Sequence, residues 1–169
     1  MLAPADLSRT VILGNGGSGK SWLAERLAEQ LSSRAIDLDL VHWLPGGFND
    51  RRDPDEARAA VRQLAMEDRW IIEGVYGWLA REALPRASAL ILLDIPDDEC
   101  VANVQSRGLR RGGDEAAHNA LVEWLREYRT RTNSNGFQAH MDLHSGFAGG
   151  KVILRSRADL AAQVTAAAA

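Results

Sequence analysis

The residues with the clearest chemistry form one glycine-rich stretch near the amino terminus: Gly14, Asn15, Gly16, Gly17, Ser18, Gly19, Lys20 and Ser21. The stretch matches the pattern G-x-x-x-x-G-K-[ST] at every fixed position. Glycines let the backbone curl so that successive N–H groups point into one concavity, and the positive end of a following helix adds to the attraction for phosphate. Lys20 would then contact the β and γ phosphates, and the Ser21 hydroxyl would be a ligand of Mg²⁺. The stretch therefore predicts a site for a nucleoside triphosphate with Mg²⁺.

Three arginines could complete such a site. Arg107, Arg110 and Arg111 lie in a basic, glycine-rich break between residues 107 and 113. Transfer of a phosphoryl group needs its charge neutralised, and kinases commonly use a mobile lid for this purpose. We predict that these arginines lie over the phosphates as catalytic residues, the alternative being a solvated basic turn.

Two acidic residues compete for the Mg²⁺ shell, because each follows a predicted strand. Glu73 comes directly after Trp70-Ile-Ile72, and Asp94 comes directly after Leu90-Ile-Leu-Leu93. The glycine-rich stretch has the pattern called a P-loop. A carboxylate near this loop can orient Mg²⁺ through water. Either acid could instead only cap the end of its strand.

A third group of polar and aromatic residues predicts a site for a phosphoryl acceptor. Asp37 and Asp39 alternate on a predicted strand over 35–40, so both carboxylates should point to one face, at the strand end that borders the ligand crevice. His42 and Trp43 follow with a titratable donor and a flat apolar surface. Tyr76, in the turn Gly74-Val-Tyr-Gly-Trp78, is expected to line the same pocket. Structural roles in a strand end or in loop packing are the alternatives.

Strands and helices alternate along the chain, as parallel βαβ units require. Strands are predicted over 10–13, 35–40, 70–72, 90–93 and 152–154. Helices are predicted over 21–32, 54–67, from 96 onward, 114–131 and 157–164, from their apolar periodicity and capping residues. Residues 133–150 show no pattern that predicts a strand or a helix.

Composition narrows the class of protein. The chain has 169 residues and a formal net charge of -3, with 46% hydrophobic and 25% charged residues. These values favour one soluble domain over residues 1–169 and argue against a nucleic-acid partner, which usually selects a positive field. The single cysteine, Cys100, fits a reducing compartment, and no apolar run is long enough to span a membrane. We therefore expect a cytoplasmic protein, either a monomer or a homodimer.

Five stretches carry a family resemblance: LGNGGSGKS, DLDLVHW, RWIIEGVYG, LILLDIPDD and KVILRSRADL. Their order resembles the adenylate-kinase-related group called DNA topology modulation proteins, and the similarity covers most of the chain. The resemblance implies an α/β, three-layer P-loop NTPase fold of the nucleoside monophosphate kinase type. Its five-stranded parallel sheet has the order 2-3-1-4-5, with an acceptor-binding segment at about 39–68 and a small lid at about 107–118.

The resemblance also implies roles for residues near the transferred phosphate. Arg107 matches the arginine at the entry of the lid in adenylate kinases. Glu73 occupies the position of the acid on the metal side, so we favour it over Asp94. The spacing of Asp37 and Asp39 is similar to that in shikimate kinases, where the second acid binds the acceptor hydroxyl; this implies that Asp39 binds the acceptor and acts as a base, while Asp37 assists Mg²⁺.

On the nucleotide side, the resemblance places Arg155 and Ser156 around the nucleobase. Trp22 stands beside the nucleotide in the place of a small residue. The stretch Glu73-Gly-Val-Tyr-Gly77 lacks the arginine that grips an acceptor phosphate in adenylate kinases, which disfavours AMP as acceptor. Asn103 replaces an arginine that commonly stacks on adenine, so ATP and GTP both stay open.

The function predicted from these residues is Mg²⁺-dependent phosphoryl transfer from ATP, or another nucleoside triphosphate such as GTP, to a small molecule. The acceptor would be a nucleoside, a nucleotide or a hydroxylated metabolite. The alternative is a nucleotide-binding regulatory protein or slow ATPase that acts through a partner.

Overall fold

The computed structural model of the chain describes residues 1–45, 50–108 and 115–168. These residues form one five-stranded sheet in which all neighbouring strands are parallel, with the order β2-β3-β1-β4-β5. The strands are β1 (Arg9–Gly14), β2 (Ala35–Asp37), β3 (Trp70–Gly74), β4 (Ala89–Leu93) and β5 (Gly150–Leu154). The predicted strand order is confirmed.

Eight α-helices lie within the described residues. They are α1 (Lys20–Gln30), α2 (Leu38–His42), α3 (Pro54–Leu64), α4 (Gly77–Ala83), α5 (Asp97–Arg107), α6 (Glu115–Arg126), α7 (Phe137–Gly146) and α8 (Arg157–Ala167). Short 3₁₀ helices span Pro4–Leu7 and Leu84–Arg86. Within the described ranges, no helix has both the length and the apolar character needed to cross a bilayer.

Alternate residues of the central strands build two separate cores, as the period of two in a strand requires. Val11, Leu13 and Ile72 face one side of the sheet, where they pack with residues of α3 and α4. Ile12 and Ile71 face the other side, where they pack with residues of α1 and α8. Helices therefore cover both faces, which confirms the predicted three-layer α/β architecture.

The predicted second strand is too long. It ends at Asp37, because the Asp37 carboxylate accepts a hydrogen bond from the backbone N–H of Asp39 at 2.8 Å and caps the short helix α2. Asp39 therefore lies in the first turn of a helix, and the expected strand alternation of the two carboxylates is wrong.

Helical structure also differs from the prediction in the second half of the chain. Helix α6 ends at Arg126, five residues before the predicted end. The Gly74–Trp78 region continues into helix α4, and α7 occupies much of the segment that showed no pattern. Helix α7 was missed because its buried positions include two histidines, His140 and His144, which do not read as an apolar stripe.

Buried His140 joins three parts of the fold. Its Nδ1 lies 2.7 Å from the Tyr128 hydroxyl, and its Nε2 lies 3.0 Å from the carbonyl oxygen of Val75. The carbonyl accepts, so Nε2 carries the proton and Nδ1 accepts from the Tyr128 O–H. Burial lowers the pKa of His140 to about 4, against an ordinary value of 6.5. Folding thus favours the neutral imidazole.

The pH dependence of unfolding tests this arrangement. As pH falls below 6.5, the unfolded chain binds a proton that the folded chain refuses until about pH 4, so the free energy of unfolding should fall across that window. A pKa difference of this size corresponds to about 3 kcal/mol. In His140→Gln, which cannot titrate, urea unfolding at a series of pH values should show a flatter dependence. An unchanged slope would contradict the assignment.

Candidate active site

The glycine-rich stretch connects β1 to α1 at the carboxyl end of the sheet. Gly17 has φ +75° and Gly19 has φ +97°, which non-glycine residues rarely adopt. A side chain at Gly17 would also come within 2.3 Å of the carbonyl oxygen of Cys100. The buried ammonium group of Lys20 donates to the carbonyl oxygen of Asn15 at 2.8 Å. The loop thus has a compact conformation, with the lysine folded against its own backbone.

Asn15 connects this loop to two helices. Its Oδ1 accepts from the Gly16 N–H at 2.9 Å, while its Nδ2 donates to the carbonyl oxygen of Leu125 at 2.9 Å and to Asp97 at 3.2 Å. The Leu125 side chain packs directly on Gly16. The end of α6 and the start of α5 therefore support the phosphate-binding loop.

Asn103, predicted to lie near the base, supports the loop from a third direction. It donates from Nδ2 to the carbonyl oxygen of Gly17 at 2.9 Å. This contact gives Asn103 a structural role in holding the loop. No local pattern predicts this contact, since Asn103 and Gly17 are 86 residues apart along the chain.

A short hydrogen bond joins the side chains of Ser21 and Glu73. The Ser21 hydroxyl donates to Glu73 Oε1 at 2.6 Å, joining the first turn of α1 to the end of β3. Burial raises the pKa of Glu73, while the Lys20 charge and the Ser21 hydrogen bond oppose this rise. The carboxylates of Asp37 and Asp39 raise the pKa of Glu73 further. The site therefore contains more negative charge than the lysine alone balances.

Asp94, the alternative metal-side acid, has a different environment. Its carboxylate is 2.8 Å from the Arg129 guanidinium and 3.3 Å from that of Arg155. Arg129 also lies 3.5 Å from Asp97. The structure thus places Glu73 beside the P-loop serine and Asp94 in an ion-pair network between β4 and β5.

The P-loop opens into a cavity of about 1180 Å³. Lys20, Ser21 and Glu73 line one part of it, and Asp37 and Asp39 line it too. The aromatic residues on the wall are His42, Trp43, Tyr76, Trp78 and Trp124. The structure therefore brings the predicted acceptor residues into the same cavity as the predicted phosphate site.

Tyr76 holds the acceptor side together. Its hydroxyl accepts from the indole N–H of Trp43 at 2.9 Å. Burial is the first cause of the raised pKa of Tyr76, and the charge of Asp39 and a hydrogen bond with that carboxylate raise it further. Tyr76 is thus a donor to Asp39 and fixes the orientation of its carboxylate.

The other predicted residues differ in whether they line this cavity. Arg107, the last residue of α5, lines it. Trp22 is 43% exposed on α1, and Ser156 accepts from the Asp159 N–H as the cap of α8. Trp22, Arg155 and Ser156 are not among the described residues that line the cavity. Arg110 and Arg111 fall outside the described residues, as does half of the predicted lid at about 107–118.

Several lining residues were missed by the sequence analysis. They are Arg51, Arg52, Asp53, Arg58, His118, Trp124, Asn133, Ser134 and Asn135. The arginines lie within the predicted acceptor-binding segment at about 39–68 and cluster around the start of α3 at Pro54, but no pattern singled them out. Asn133 to Asn135 reach the cavity because the carbonyl oxygen of Ser134 packs against Gly77, a contact between segments distant in sequence.

The oxygen atoms around Ser21 are suitable ligands for a magnesium ion. Ser21 and Glu73 supply oxygen atoms, the ligand type that Mg²⁺ prefers, and Asp37 is close enough to influence the pKa of Glu73. Across residues 1–45, 50–108 and 115–168, no group of three or more His, Cys, Asp or Glu side chains could hold a metal ion. Proteins commonly bind Mg²⁺ through one or two carboxylates together with substrate phosphates, rather than in a closed protein cage.

Comparison by sequence identifies one distant relative. No family model matches the chain. The protein named "Uncharacterized protein YqaC" from Bacillus subtilis (strain 168) is 29% identical over 105 residues, which cover 62% of this chain. The match spans 58% of that relative's length. The resemblance to DNA topology modulation proteins therefore stays a prediction.

Comparison by structure shows the fold. A gluconokinase from Sinorhizobium meliloti 1021 matches with a TM-score of 0.59 at 20% identity, over 95% of this chain and 89% of that chain. A shikimate kinase from Acinetobacter baumannii, in complex with shikimate, matches at 0.58 and 14% identity, over 95% and 90%. A shikimate kinase from Bacteroides thetaiotaomicron matches at 0.56 and 16% identity, over 93% and 94%. The chain has the fold of these P-loop kinases.

Proposed function

We propose that this protein is a small-molecule kinase that transfers the terminal phosphoryl group of ATP, or of another nucleoside triphosphate such as GTP, with Mg²⁺. The observation that carries the proposal is the 2.6 Å contact between Ser21 and Glu73 beside Lys20, in a cavity shared with Asp37 and Asp39. Phosphate-binding and acceptor-binding groups thus face one compartment. A regulatory nucleotide-binding protein or slow ATPase has no need for the second set of groups.

In this proposal the chain works by placement and electrostatics, because phosphoryl transfer needs little covalent work from the protein. Backbone N–H groups of Gly14 to Ser21 bind the phosphates, and Lys20 leaves the Asn15 carbonyl to contact the β and γ phosphates. Mg²⁺, when bound by Ser21 and Glu73 together with the phosphates, would neutralise charge on the triphosphate. Asp39 accepts the proton of the acceptor hydroxyl. Arg107, which also lines the cavity, adds positive charge.

Two further lines of reasoning support a small acceptor. The structural neighbours are named gluconokinase and shikimate kinase, and one of them holds shikimate. The cavity volume of about 1180 Å³ suits a nucleotide together with a small molecule rather than a macromolecular partner.

An acceptor screen tests the proposal. Purified protein with Mg·ATP or Mg·GTP is incubated with nucleosides, nucleotides, sugars and hydroxy acids, and phosphorylated products are identified by mass spectrometry. We expect nucleotide consumption to rise with at least one acceptor, with matching amounts of phosphorylated product. Release of inorganic phosphate at one rate, whatever the acceptor, would support a slow ATPase and end the kinase proposal.

Replacing Glu73 with glutamine should separate function from stability. The raised pKa shows that the fold disfavours the ionised carboxylate, so the stability lost when pH rises through the pKa of Glu73 should be restored in Glu73→Gln. The melting temperature of the nucleotide-free variant should therefore rise at pH 8. Its Mg²⁺-dependent turnover should fall by about 10- to 100-fold, because the partner that orients Ser21 is weakened.

A matched change at Asp94→Asn distinguishes the two acids. This variant removes a charge from the Arg129 and Arg155 ion pairs and should leave the Mg²⁺ concentration for half-maximal activity unchanged. If Asp94→Asn shifts that concentration and Glu73→Gln does not, the assignment of the metal-side acid is reversed.

A further inference from the structure

We infer that the acceptor carries a negative charge as well as a hydroxyl group, and that Arg51 and Arg58 bind the charged group. The inference rests on the proposed function and adds the substrate class to it. The cavity has a cationic wall, which we define as Arg51, Arg52 and Arg58, and this wall is separate from Lys20 in the P-loop.

The distribution of charged residues along the cavity supports an anion-binding wall apart from the P-loop. Five cationic residues line its described part: Lys20, Arg51, Arg52, Arg58 and Arg107. Three of the five lie within the eight-residue stretch 51–58 and form the cationic wall. Such a concentration of positive charge in a concave site favours an anionic ligand.

Of the three acids in the same stretch, Asp53, Asp55 and Glu56, only Asp53 is among the described residues that line the cavity. Its Oδ1 accepts from the backbone N–H groups of Asp55 at 2.9 Å and Glu56 at 3.1 Å. Its carboxylate caps helix α3. Because the Asp53 carboxylate is engaged at the start of the helix, the arginines of the cationic wall face the cavity.

Aromatic rings position two of the arginines. The guanidinium carbon of Arg51 lies 5.4 Å from the ring centroid of Trp43, and that of Arg58 lies 5.5 Å from the ring centroid of Trp78. The face of an aromatic ring attracts a guanidinium group at such distances without using its N–H groups, which can still donate to an anion. This geometry suits bidentate binding of a carboxylate or phosphate.

The existing partners of Arg58 leave room for a ligand. Its guanidinium lies 3.7 Å from Asp55 and 4.0 Å from Glu82, both beyond the range of a direct hydrogen bond. Glu82 makes its shorter contact with Arg62, at 2.7 Å. An anion in the cavity can therefore make better hydrogen bonds to Arg58 than its present neighbours do. Arg52 is different, because its Nε donates to the carbonyl oxygen of Val41 at 2.9 Å and braces α2.

His42 gives a second, independent indication of a polar ligand. Its ring lies among Tyr76, Trp43 and Trp78, with centroid distances of 4.3, 4.7 and 5.8 Å. Its Nδ1 is buried and has no hydrogen-bond partner within the described part of the chain. A buried polar atom without a hydrogen-bond partner is energetically unfavourable, and a ligand in the cavity can satisfy it. Burial, then the charge of Arg51, lowers the pKa of His42, which favours a neutral ring.

These groups together define the acceptor. Its hydroxyl lies at Asp39, its polar body contacts His42, and its carboxylate or phosphate group lies at Arg51 and Arg58. Neutral sugars, polyols and nucleosides lack the last group. Phosphate esters and carboxylic acids share the chemistry that these arginines recognise.

The test uses acceptor pairs that differ in charge: glycerate against glycerol, gluconate against glucose, and uridine monophosphate against uridine. Binding of each compound is measured by calorimetry with Mg²⁺ and a non-hydrolysable ATP analogue, and phosphorylation is measured separately with ATP. We expect at least one anionic compound to bind at least about 10-fold more tightly than its neutral partner. Whether that compound is a carboxylate or a phosphate ester identifies the anionic group.

Variants then locate the charged subsite. For that anionic compound, Arg51→Gln combined with Arg58→Gln should weaken binding about 10-fold or more and leave binding of the nucleotide analogue unchanged. Arg26→Gln is the control, because Arg26 is exposed on α1, pairs with Glu29 of its own helix and is not among the described residues that line the cavity.

The two proposals can fail separately. Arginine-dependent binding of an anionic compound without phosphorylation would keep the anion subsite and overturn the kinase proposal. Equal binding of charged and neutral partners, binding unaffected by the arginine changes, or no binding of any compound would overturn the inference.

Discussion

Replacing Lys20 with alanine is expected to remove most of the binding of nucleoside triphosphates and to lower turnover by at least about 100-fold. The ammonium group is buried in the P-loop, 2.8 Å from the Asn15 carbonyl, where no other lysine can replace it. A ligand at 100 times its Kd stabilises a folded protein by about 2.7 kcal/mol. If the variant binds 100-fold more weakly, the same ligand concentration gives about 0.4 kcal/mol. Thermal unfolding with and without a non-hydrolysable Mg·ATP analogue measures the difference.

The sequence contains one matched control for this experiment. Lys151 is the only other lysine, and its ammonium group donates to the carbonyl oxygens of Ser145 and Phe147, away from the cavity. Lys151→Ala should keep the full stabilisation by nucleotide. Equal stabilisation of wild type and Lys20→Ala would show that the triphosphate does not bind where we place it.

Replacing Asp39 with asparagine should abolish phosphorylation of the acceptor while nucleotide binding survives. Asparagine has nearly the same shape, but it cannot accept the proton of the acceptor hydroxyl, and loss of a general base typically costs about 10²- to 10⁴-fold. Asp39 interacts with Tyr76, which in turn accepts from Trp43, so the carboxylate is already oriented for this role. The measurement is kcat for acceptor phosphorylation alongside the Kd of the nucleotide analogue.

Asp142→Asn is the control for this change, because Asp142 is exposed on α7 and accepts a hydrogen bond from Gln138 in its own helix. It should leave both quantities unchanged. An Asp39→Asn enzyme with wild-type kcat would remove Asp39 from the reaction and leave the choice of base to another group.

Local patterns explain why much of the fold was predictable. The central strands are apolar on both faces because helices cover both sides of the sheet, so residues 10–13 and 90–93 read as continuous apolar runs. The start of α3 was readable from Asp53 and Pro54, since Asp53 accepts from the first N–H groups of the helix. The P-loop pattern was readable for a similar reason, because the positive φ angles of the loop favour glycine at those positions.

The rest of the site depends on contacts that no local pattern records. Asp37 could end a strand or begin a helix, and only the docking of α2 against β3 makes it a cap. Ser134 reaches the cavity because it packs on Gly77, and Asn15 finds its partners at Asp97 and Leu125. Such pairings are set by tertiary packing between residues far apart in sequence.

The central claim is that the loop from Gly14 to Ser21 binds a magnesium-bound triphosphate. Isothermal titration calorimetry of the wild-type protein with non-hydrolysable analogues of ATP and GTP, with Mg²⁺ and again with EDTA, tests it most directly. The account predicts saturable binding at one site per chain for at least one analogue, much weakened by EDTA. Absence of heat with both magnesium-bound analogues, supported by an unchanged melting temperature, would contradict it.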